Sequence, residues 1–419
     1  MKSLNVFAII TLLLASVWVT TSRAQSRYEA EPVLQAKDLV AAELLKGPNY
    51  TVDSKVPVKG FLAWFTIRSD YGTFVAHGIH MFQVRVREVY GLAQLSQMSQ
   101  TKEFLSAAGQ AVARPVTSAV NMVMNPVETV EGLPSGVSRL FGRIESGVQS
   151  IASAATAPGQ SDEQQVASVS ERVGTITVDA LGYEKERRDL AKSVGVDPYT
   201  TNPVLAKKLD EMARVAFSGR MVIQAATTIL VPGSTIMSAV SITNSTIYDT
   251  PPGDLLNAAK TIFAATGASP AQVTALMKNP QYSVSLITDL ALGVRRIQSV
   301  NGVASVVPFA AIAKTQDEAR FVAAAVNMLA RYNESTERLA EVSAPGPIVG
   351  RGVSGRLVVA GPVDYVAWTE RAARFAERND LKAPDRLIWV SGQLDRRANK
   401  EAHALGWNVY ENFTIAAER

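Results

Sequence analysis

The sequence predicts a mainly α-helical protein: a helical bundle, preceded by a short N-terminal β-hairpin and followed by a small C-terminal α/β module. Apolar residues recur at spacings of three and four through most of residues 171–343, which is typical of amphipathic helices. No charged side chain occurs from Met221 to Tyr248, as expected for the buried centre of a helical body. After residue 355, short apolar runs and helical patterns alternate in the order βαβαβ.

The uncharged run from Met221 to Tyr248 fits two interpretations, a buried core segment and a membrane segment. A membrane-spanning helix needs about 20 apolar residues, whereas the first apolar piece ends at Pro232-Gly233. Proline ends a helix because it lacks an N–H group and clashes with the preceding turn. The second piece is rich in Ser, Thr and Asn, whose polar groups need partners in lipid. The sequence favours a buried hairpin, with reversible membrane insertion as the alternative.

Residues 1–24 have the pattern of a secretory signal peptide. Lys2 supplies the positive start, an apolar stretch follows from Val6 to Val19, and small residues surround a cleavage site near Ala24. The pattern predicts a periplasmic or secreted protein of the cell envelope. Cleavage also removes Lys2 and Arg23, which lowers the formal net charge from +4 to +2. No polybasic segment remains that would indicate nucleic-acid binding.

The chain contains no cysteine. This excludes disulfide bonds, thiolate catalysis and cysteine-ligated zinc, and it excludes a lipoprotein anchor. An exported protein without disulfide bonds has to be stabilised by its own hydrophobic core. The hydrophobic fraction of 47% is sufficient for a sizeable core.

The predicted N-terminal region, residues 25–156, contains a helix, a β-hairpin and further helices. Tyr28 to Leu45 has apolar residues on one helical side, and Gly47-Pro48 ends that pattern. Two apolar runs, 61–67 and 73–76, flank a turn that contains Gly72, which predicts a hairpin. From Ile79 the apolar period becomes helical. Residues 157–170 are polar and form a predicted linker.

Residues 171–343 are predicted to form a bundle of about six helices around the uncharged run. Asn202-Pro203 and Ser269-Pro270 each place a capping side chain before a proline at the first helical position. Thr315 and Glu318 have the spacing of a capping box. The Gly/Pro-rich residues 344–355 form a second predicted linker. Residues 356–419 form the α/β module, which includes a helix starting at Pro362 and is expected to dock on the bundle.

Two groups of residues are candidate sites. His77, His80 and Asp70 lie near each other in the sequence, and two imidazoles with one carboxylate can bind a divalent metal. The alternative is that these histidines are structural. In the C-terminal module, Gly361, Ser391 and Gly392 precede predicted helix N-termini, which attract anions. Arg396 and Arg397 follow, which predicts a phosphate or carboxylate site, with ordinary turn chemistry as the alternative.

Glycine-rich nucleotide-binding patterns, HExxH and GxSxG are all absent from the sequence. The sequence therefore favours a non-enzymatic binding or structural protein of the envelope, whose partner is an envelope protein or an apolar ligand. No cofactor is predicted, and peripheral membrane contact is compatible with the pattern. One alternative is a hydrolase-type enzyme that uses the α/β module or a metal at His77 and His80. Another is a membrane-active protein that exposes residues 221–248.

Overall fold

The computed structural model describes residues 27–101, 104, 123–124, 136–142, 178–220 and 245–412. The predicted leader, the predicted linker 157–170 and most of the uncharged run, residues 221–244, lie outside these described residues. The end of that run, from Ser245 to Tyr248, belongs to a short helix. None of the helices in the described ranges is both long and apolar enough to cross a membrane.

The predicted fold class is wrong, because both ends of the chain contain large β-sheets rather than a short hairpin and a small module. A seven-stranded, mostly antiparallel sheet lies near the N-terminus, and a mixed five-stranded sheet lies near the C-terminus. Helices cover both sheets. The strands are β1 Val33–Gln35, β2 Lys46–Gly47, β3 Tyr50–Val52, β4 Lys55–Lys59, β5 Leu62–Ser69, β6 Gly72–His77, β7 Val123–Met124, β8 Leu339–Ser343, β9 Val349–Gly352, β10 Leu357–Gly361, β11 Tyr365–Val366, β12 Arg386–Val390, β13 Gln393–Leu394 and β14 Asn408–Tyr410.

Eleven helices are numbered here within the described residues. Where the residues before a helix are described, it begins after a capping side chain, a proline or a glycine turn, or it continues a preceding turn. The helices are α1 Ile79–Met98, α2 Val178–Ser193, α3 Pro203–Val215, α4 Ser245–Asp249, α5 Pro252–Ala264, α6 Pro270–Met277, α7 Val284–Arg296, α8 Val306–Ala311, α9 Gln316–Ser335, α10 Glu370–Ala376 and α11 Arg396–Ala404.

The N-terminal sheet is built on β5, whose side chains alternate between the core and the partly exposed face. Ala63, Phe65 and Ile67 are fully buried, as period-two alternation in a half-buried strand requires. The predicted helix from Tyr28 to Leu45 is wrong, because β1 instead pairs with β4 and two short 3-10 turns follow. Val33, an apolar residue in the predicted helical pattern, is 60% exposed. Pairing with a neighbouring strand overrides the helical spacing of the segment.

The C-terminal sheet has the order β14-β12-β10-β9-β8. Strands β10, β12 and β14 are parallel, with α10 and α11 between them, whereas β9 and β8 add antiparallel strands. All five residues of β10 are buried, as expected for a strand with both faces covered. Residues 344–355, the predicted linker, lie largely in the β8–β9 hairpin of this sheet. The sheet is therefore larger than the predicted small module.

The helix predicted to start at Pro362 begins instead at Glu370. Thr369 caps it, because its side chain accepts a hydrogen bond from the Ala372 N–H. Residues before the cap form β11, which pairs with β13 outside the main sheet. Pro362 directly follows the end of β10 and does not start a helix, since proline is also common in turns.

Buried apolar side chains form two cores. The N-terminal body (residues 33–98 and 178–215) packs its sheet against α1, α2 and α3. The C-terminal body (residues 252–410) packs α5 to α9 against the five-stranded sheet. Helices α2 and α3 thus pack with the N-terminal sheet, although they lie within the predicted bundle. The surface where the two bodies meet, which includes His77, Asp317 and Asp364, is called the junction.

Residues 136–142 are an isolated described segment that packs in the core of the C-terminal body. They contain a 3-10 turn, Ser138–Phe141, and Leu140 is fully buried. Arg139 forms two hydrogen bonds to the Glu318 carboxylate, with Nε–Oε1 at 2.7 Å and Nη2–Oε2 at 2.6 Å. This paired geometry gives both strength and orientation. The segment is therefore held by a core residue on one side and an ion pair on the other.

Candidate functional site

The histidine His77 lies at the end of β6, at the junction. Its cross-strand neighbour on β5 is Trp64. The two rings stack with their centroids 3.7 Å apart and their planes 16° from parallel. Lys59 Nζ lies 4.4 Å from the centroid of the Trp64 ring, within the range of a cation–π contact. The strand pairing therefore fixes the imidazole against an aromatic surface.

The same imidazole contacts a carboxylate of the C-terminal body. His77 Nδ1 lies 2.6 Å from Asp317 Oδ2, and the two side chains are 7% and 13% exposed. Asp317 lies in the first turn of α9, where the helix dipole favours a negative charge. A carboxylate at Nδ1 favours the tautomer with its proton on Nδ1, which leaves the Nε2 lone pair as an acceptor. The pair thus fixes both the orientation and the tautomer of His77.

Two nitrogens of this stack are buried and lack a hydrogen-bond partner among the described residues: His77 Nε2 and Trp64 Nε1. Leaving such a group unpaired costs about 1–3 kcal/mol. Native structures rarely keep these groups unpaired unless a ligand or an ordered water serves them. The indole N–H is a donor, and the neutral imidazole Nε2 is an acceptor. The stack therefore offers both hydrogen-bonding types to a bound molecule.

A second carboxylate crosses the junction from the C-terminal sheet. Asp364 is 8% exposed and accepts hydrogen bonds from Ala63 N at 2.8 Å and Ile79 N at 3.1 Å. Burial raises the pKa of Asp364 to about 6; its two N–H partners act against the rise and the charge of Asp317 adds to it. Asp364 thus connects β10 to both β5 and the start of α1.

The raised pKa of Asp364 predicts a dependence of stability on pH. Between its ordinary pKa near 4 and about 6, the folded protein binds a proton that the unfolded chain does not. This group therefore stabilises the fold as pH falls from 7 to 4, and its contribution is lost as pH rises through 6. Replacing Asp364 with asparagine is expected to remove about 1 kcal/mol of the stability difference between pH 5 and 7.5, as measured by urea unfolding at both values.

Exposed Asp38, replaced with asparagine, is the control for that experiment. Asp364→Asn also lowers stability at both pH values, because an amide oxygen serves only one of the two N–H groups. The diagnostic quantity is the difference between pH values. An unchanged pH profile in the Asp364 variant would show that this carboxyl group does not titrate in the fold.

The His77–Asp317 pair continues into a hydrogen-bonded chain along the junction. Arg320 Nη1 lies 3.4 Å from Asp317 Oδ1, and Arg320 Nη2 donates to Thr201 Oγ1 at 3.2 Å. Thr201 also accepts from Arg85 Nη2 at 3.1 Å. One hydroxyl in the loop between α2 and α3 therefore joins arginines from both bodies.

Glu88 is the far end of this chain and is 2% exposed. It accepts from Arg85 Nη1 at 2.5 Å, from Asn202 Nδ2 at 3.0 Å and from the Thr200 hydroxyl. Arg85 itself is only 6% exposed, so the two opposite charges are buried together. Buried charges are tolerated in proteins when they are paired and hydrogen-bonded in this way.

The second candidate histidine, His80, lies in the first turn of α1 and is exposed. Partial desolvation and the positive charges of Arg320 and Arg87 lower the pKa of His80 below its ordinary value. Its imidazole is therefore neutral at neutral pH. His80 has no hydrogen bond to the His77–Asp317 pair among the described residues.

The structure does not bring the predicted metal ligands together. Asp70 lies in the turn between β5 and β6, where it accepts from Asn49 Nδ2 at 2.9 Å. His77 lies at the opposite end of β6, roughly 20 Å away at about 3.3 Å per residue. Within the described ranges, no group of three or more His, Asp or Glu side chains is placed to hold a metal ion.

Gly361, Ser391 and Gly392 do lie together at the C-terminal ends of neighbouring parallel strands. Their backbone groups are largely occupied: Ser391 N donates to Gly361 O at 3.2 Å, and Gly392 N donates to Val363 O at 2.8 Å. A Cβ atom at Gly392 would lie 1.9 Å from Asp364 O, so this glycine permits close backbone packing. The anion site stays a prediction. The Ser391 and Gly392 N–H groups donate to backbone carbonyl oxygens in this structure and are not free to bind an anion.

Arg396 and Arg397 form the first turn of α11. Asp395 caps that helix, because its carboxylate accepts from Ala398 N at 2.6 Å. A carboxylate therefore already occupies the helix N-terminus at which an anion was predicted. Arg397 Nη2 donates to Arg27 O at 2.7 Å, and Arg396 is exposed.

Sequence reasoning identified His77 but missed Asp317, Trp64 and Asp364. Asp317 is 240 residues and Asp364 is 287 residues further along the chain than His77, and no local pattern connects such positions. The available signal was partial: Trp64 lies in the predicted hairpin, where register would pair it with His77. Asp317 lies within the predicted helix start at Thr315. A correct hairpin register would have found the aromatic partner but not the carboxylates.

Comparison of the chain with protein-family models, with curated proteins and with solved structures found no match.

Proposed function

We propose that this chain is an exported, non-enzymatic binding protein of the cell envelope that holds a ligand at the junction. The observation that supports the proposal is the buried, unpaired His77 Nε2 beside the unpaired Trp64 Nε1. Binding sites commonly lie where two packed bodies meet, with a few oriented polar groups among apolar surfaces. The ligand expected here is largely apolar and carries one group that both accepts and donates a hydrogen bond, such as a hydroxyl or amide.

Each residue of the site has a separate role in this proposal. Asp317 holds the imidazole so that Nε2 accepts a hydrogen bond from the ligand. Trp64 donates from Nε1 and supplies the surface on which the imidazole stacks. Because Nε2 is buried, ligand entry requires a local movement of the junction. The ligand would then contribute to holding the two bodies together.

The experiment is native mass spectrometry of the mature protein purified from an exporting cell. The wild-type protein is expected to retain a bound small molecule. In His77→Gln, the affinity for that molecule is expected to fall at least tenfold, because a buried polar group of the binding site is left unpaired. Trp64→Phe keeps the stacked ring but removes the N–H donor, so partial loss is expected. His403→Gln, at an exposed position on α11, is the matched control. If the wild-type protein carries no molecule, or if His77→Gln retains it, the proposal is wrong.

A second candidate is a hydrolase in which His77 is the general base, and the 2.6 Å contact to Asp317 favours it. Nε2 would take a proton from an attacking water, and the Asp317 carboxylate would stabilise the imidazolium. Asp317→Asn separates the two candidates: it would reduce hydrolysis of ester or amide substrates by orders of magnitude, while binding at Nε2 would weaken less. Absence of ester or amide hydrolysis by the wild-type protein would contradict this second candidate.

Export is a separate part of the proposal and rests on the pattern of residues 1–24. The mature protein is expected to begin just after Ala24 and to be recovered from the periplasm or the medium. N-terminal sequencing of the fractionated protein measures this directly. Recovery of an uncleaved chain from the cytoplasm would contradict it.

A further inference from the structure

A buried arginine lies in the N-terminal body, away from His77. Arg188 on α2 is 6% exposed. Its Nε donates to Tyr248 O at 3.0 Å, but its Nη1 is buried without a hydrogen-bond partner in the described part of the chain. Arg188 also forms no ion pair with any described carboxylate. A buried guanidinium without a paired anion is costly, so an anion is expected to accompany it.

A buried hydroxyl lies beside this guanidinium. Tyr199, in the loop between α2 and α3, has a buried Oη close enough to Arg188 to accept a hydrogen bond from the guanidinium, and its own O–H has no acceptor among the described residues. Burial raises the pKa of Tyr199 to about 12, while the nearby charge of Arg188 acts against the rise. The hydroxyl is therefore protonated at neutral pH and can donate. The Arg188 guanidinium and the Tyr199 O–H, one charged donor and one neutral donor, therefore lie side by side.

The neighbouring charged groups already have partners. Arg187 pairs with Asp210 at 2.7 Å, and Asp210 also accepts from the Tyr183 hydroxyl at 2.8 Å. Burial raises the pKa of Glu184, so this carboxyl group holds its proton to higher pH than an exposed one, although Arg187 and Arg188 oppose the rise. Arg188 therefore differs from Arg187 in having no carboxylate within ion-pair distance among the described residues.

We propose that Arg188 and Tyr199 bind a compact oxyanion between α2 and the loop that precedes α3. Guanidinium N–H groups donate strong, charge-assisted hydrogen bonds to phosphate, sulfate and carboxylate groups, and a phenol O–H can add one further hydrogen bond. The site is distinct from the junction stack, because neither Arg188 nor Tyr199 contacts His77 or Asp317. An anion bound there would connect α2 to the loop whose next residues, Thr200 and Thr201, belong to the junction chain.

The test measures thermal unfolding and calorimetric binding of the full-length protein with sodium phosphate, sulfate or acetate, against sodium chloride at equal ionic strength. Wild-type protein is expected to show saturable binding of at least one oxyanion. Tyr199→Phe removes one donor and keeps the ring, and it is expected to weaken that affinity about five- to tenfold. Tyr71→Phe, in the β5–β6 turn, is the matched control and should bind as wild type does.

Arg188→Gln is expected to abolish saturable binding, and Tyr199→Phe keeps the test decisive if that variant fails to fold. His77→Gln should bind the oxyanion normally, which separates this site from the junction. Two outcomes overturn the proposal: no oxyanion shifts unfolding more than chloride does, or Tyr199→Phe binds as tightly as wild type. Either result would assign ordinary water, rather than an anion, to these donors.

Discussion

Replacing Glu88 with alanine is expected to lower the free energy of unfolding by about 3–5 kcal/mol. Glu88 is 2% exposed, and its carboxylate is the partner of Arg85, Thr200 and Asn202. Its removal leaves the Arg85 guanidinium buried without its counter-charge. The loss is therefore much larger than the net contribution of the ion pair itself. Urea unfolding monitored by circular dichroism measures it.

The control is Glu370→Ala, which removes a carboxylate from an exposed i,i+4 pair with Arg374. Such surface pairs contribute at most about 0.5 kcal/mol. A double variant, Arg85→Leu with Glu88→Leu, removes both charges and is expected to recover part of the lost stability. If Glu88→Ala costs no more than Glu370→Ala, the buried network does not stabilise the junction.

Replacing Phe141 with alanine is expected to cost about 3–5 kcal/mol, because it leaves a large cavity in the core. Phe141 is 8% exposed, and its ring packs edge-on against three others, with centroids 5.2 Å from Phe61, 5.2 Å from Phe321 and 5.3 Å from Phe375. These rings come from the turn before β5, from α9 and from α10. The same cavity therefore weakens contacts between three parts of the fold.

Phe217→Ala is the matched control, since that ring is 41% exposed. It should lose less stability, since 41% of the surface of Phe217 already contacts water. The midpoint and slope of urea unfolding for both variants give the comparison. A loss for Phe141→Ala as small as that for Phe217→Ala would mean that residues 136–142 do not pack in the core as the structure shows.

Helix starts were the part of the fold that the sequence predicted best. Asn202 accepts from Val204 N at 3.1 Å with a proline following, and Ser269 forms a complete capping box with Gln272. These signals are local, because the cap and the helix it serves are within three residues. At Thr315 only half of the capping box forms, because the Glu318 carboxylate binds Arg139 and Lys314 N instead. The Glu318 carboxylate therefore binds the distant Arg139 and does not complete the capping box with Thr315.

The N-terminal sheet was largely missed because its edge strands are short and their pairing is tertiary. β1 has three residues and pairs with β4, about 20 residues away. Its apolar residues had helical spacing, so periodicity alone favoured the wrong element. The candidate site was missed because its residues also come together only through tertiary contacts, here over even longer distances in the sequence. His77 was recognisable, whereas the carboxylates that orient it come from segments that only the complete fold brings near.

The hydrogen bond from Ala63 N to Asp364 joins residues 301 positions apart. During synthesis, the early strands leave the ribosome long before this carboxylate exists. The N-terminal sheet can pair its strands, but its contact with the second body forms only after residue 364 has been made. Contacts of this range slow folding and leave partly assembled states exposed to aggregation or chaperone binding. Such late assembly is compatible with passage through a membrane in the unfolded state, followed by folding on the other side.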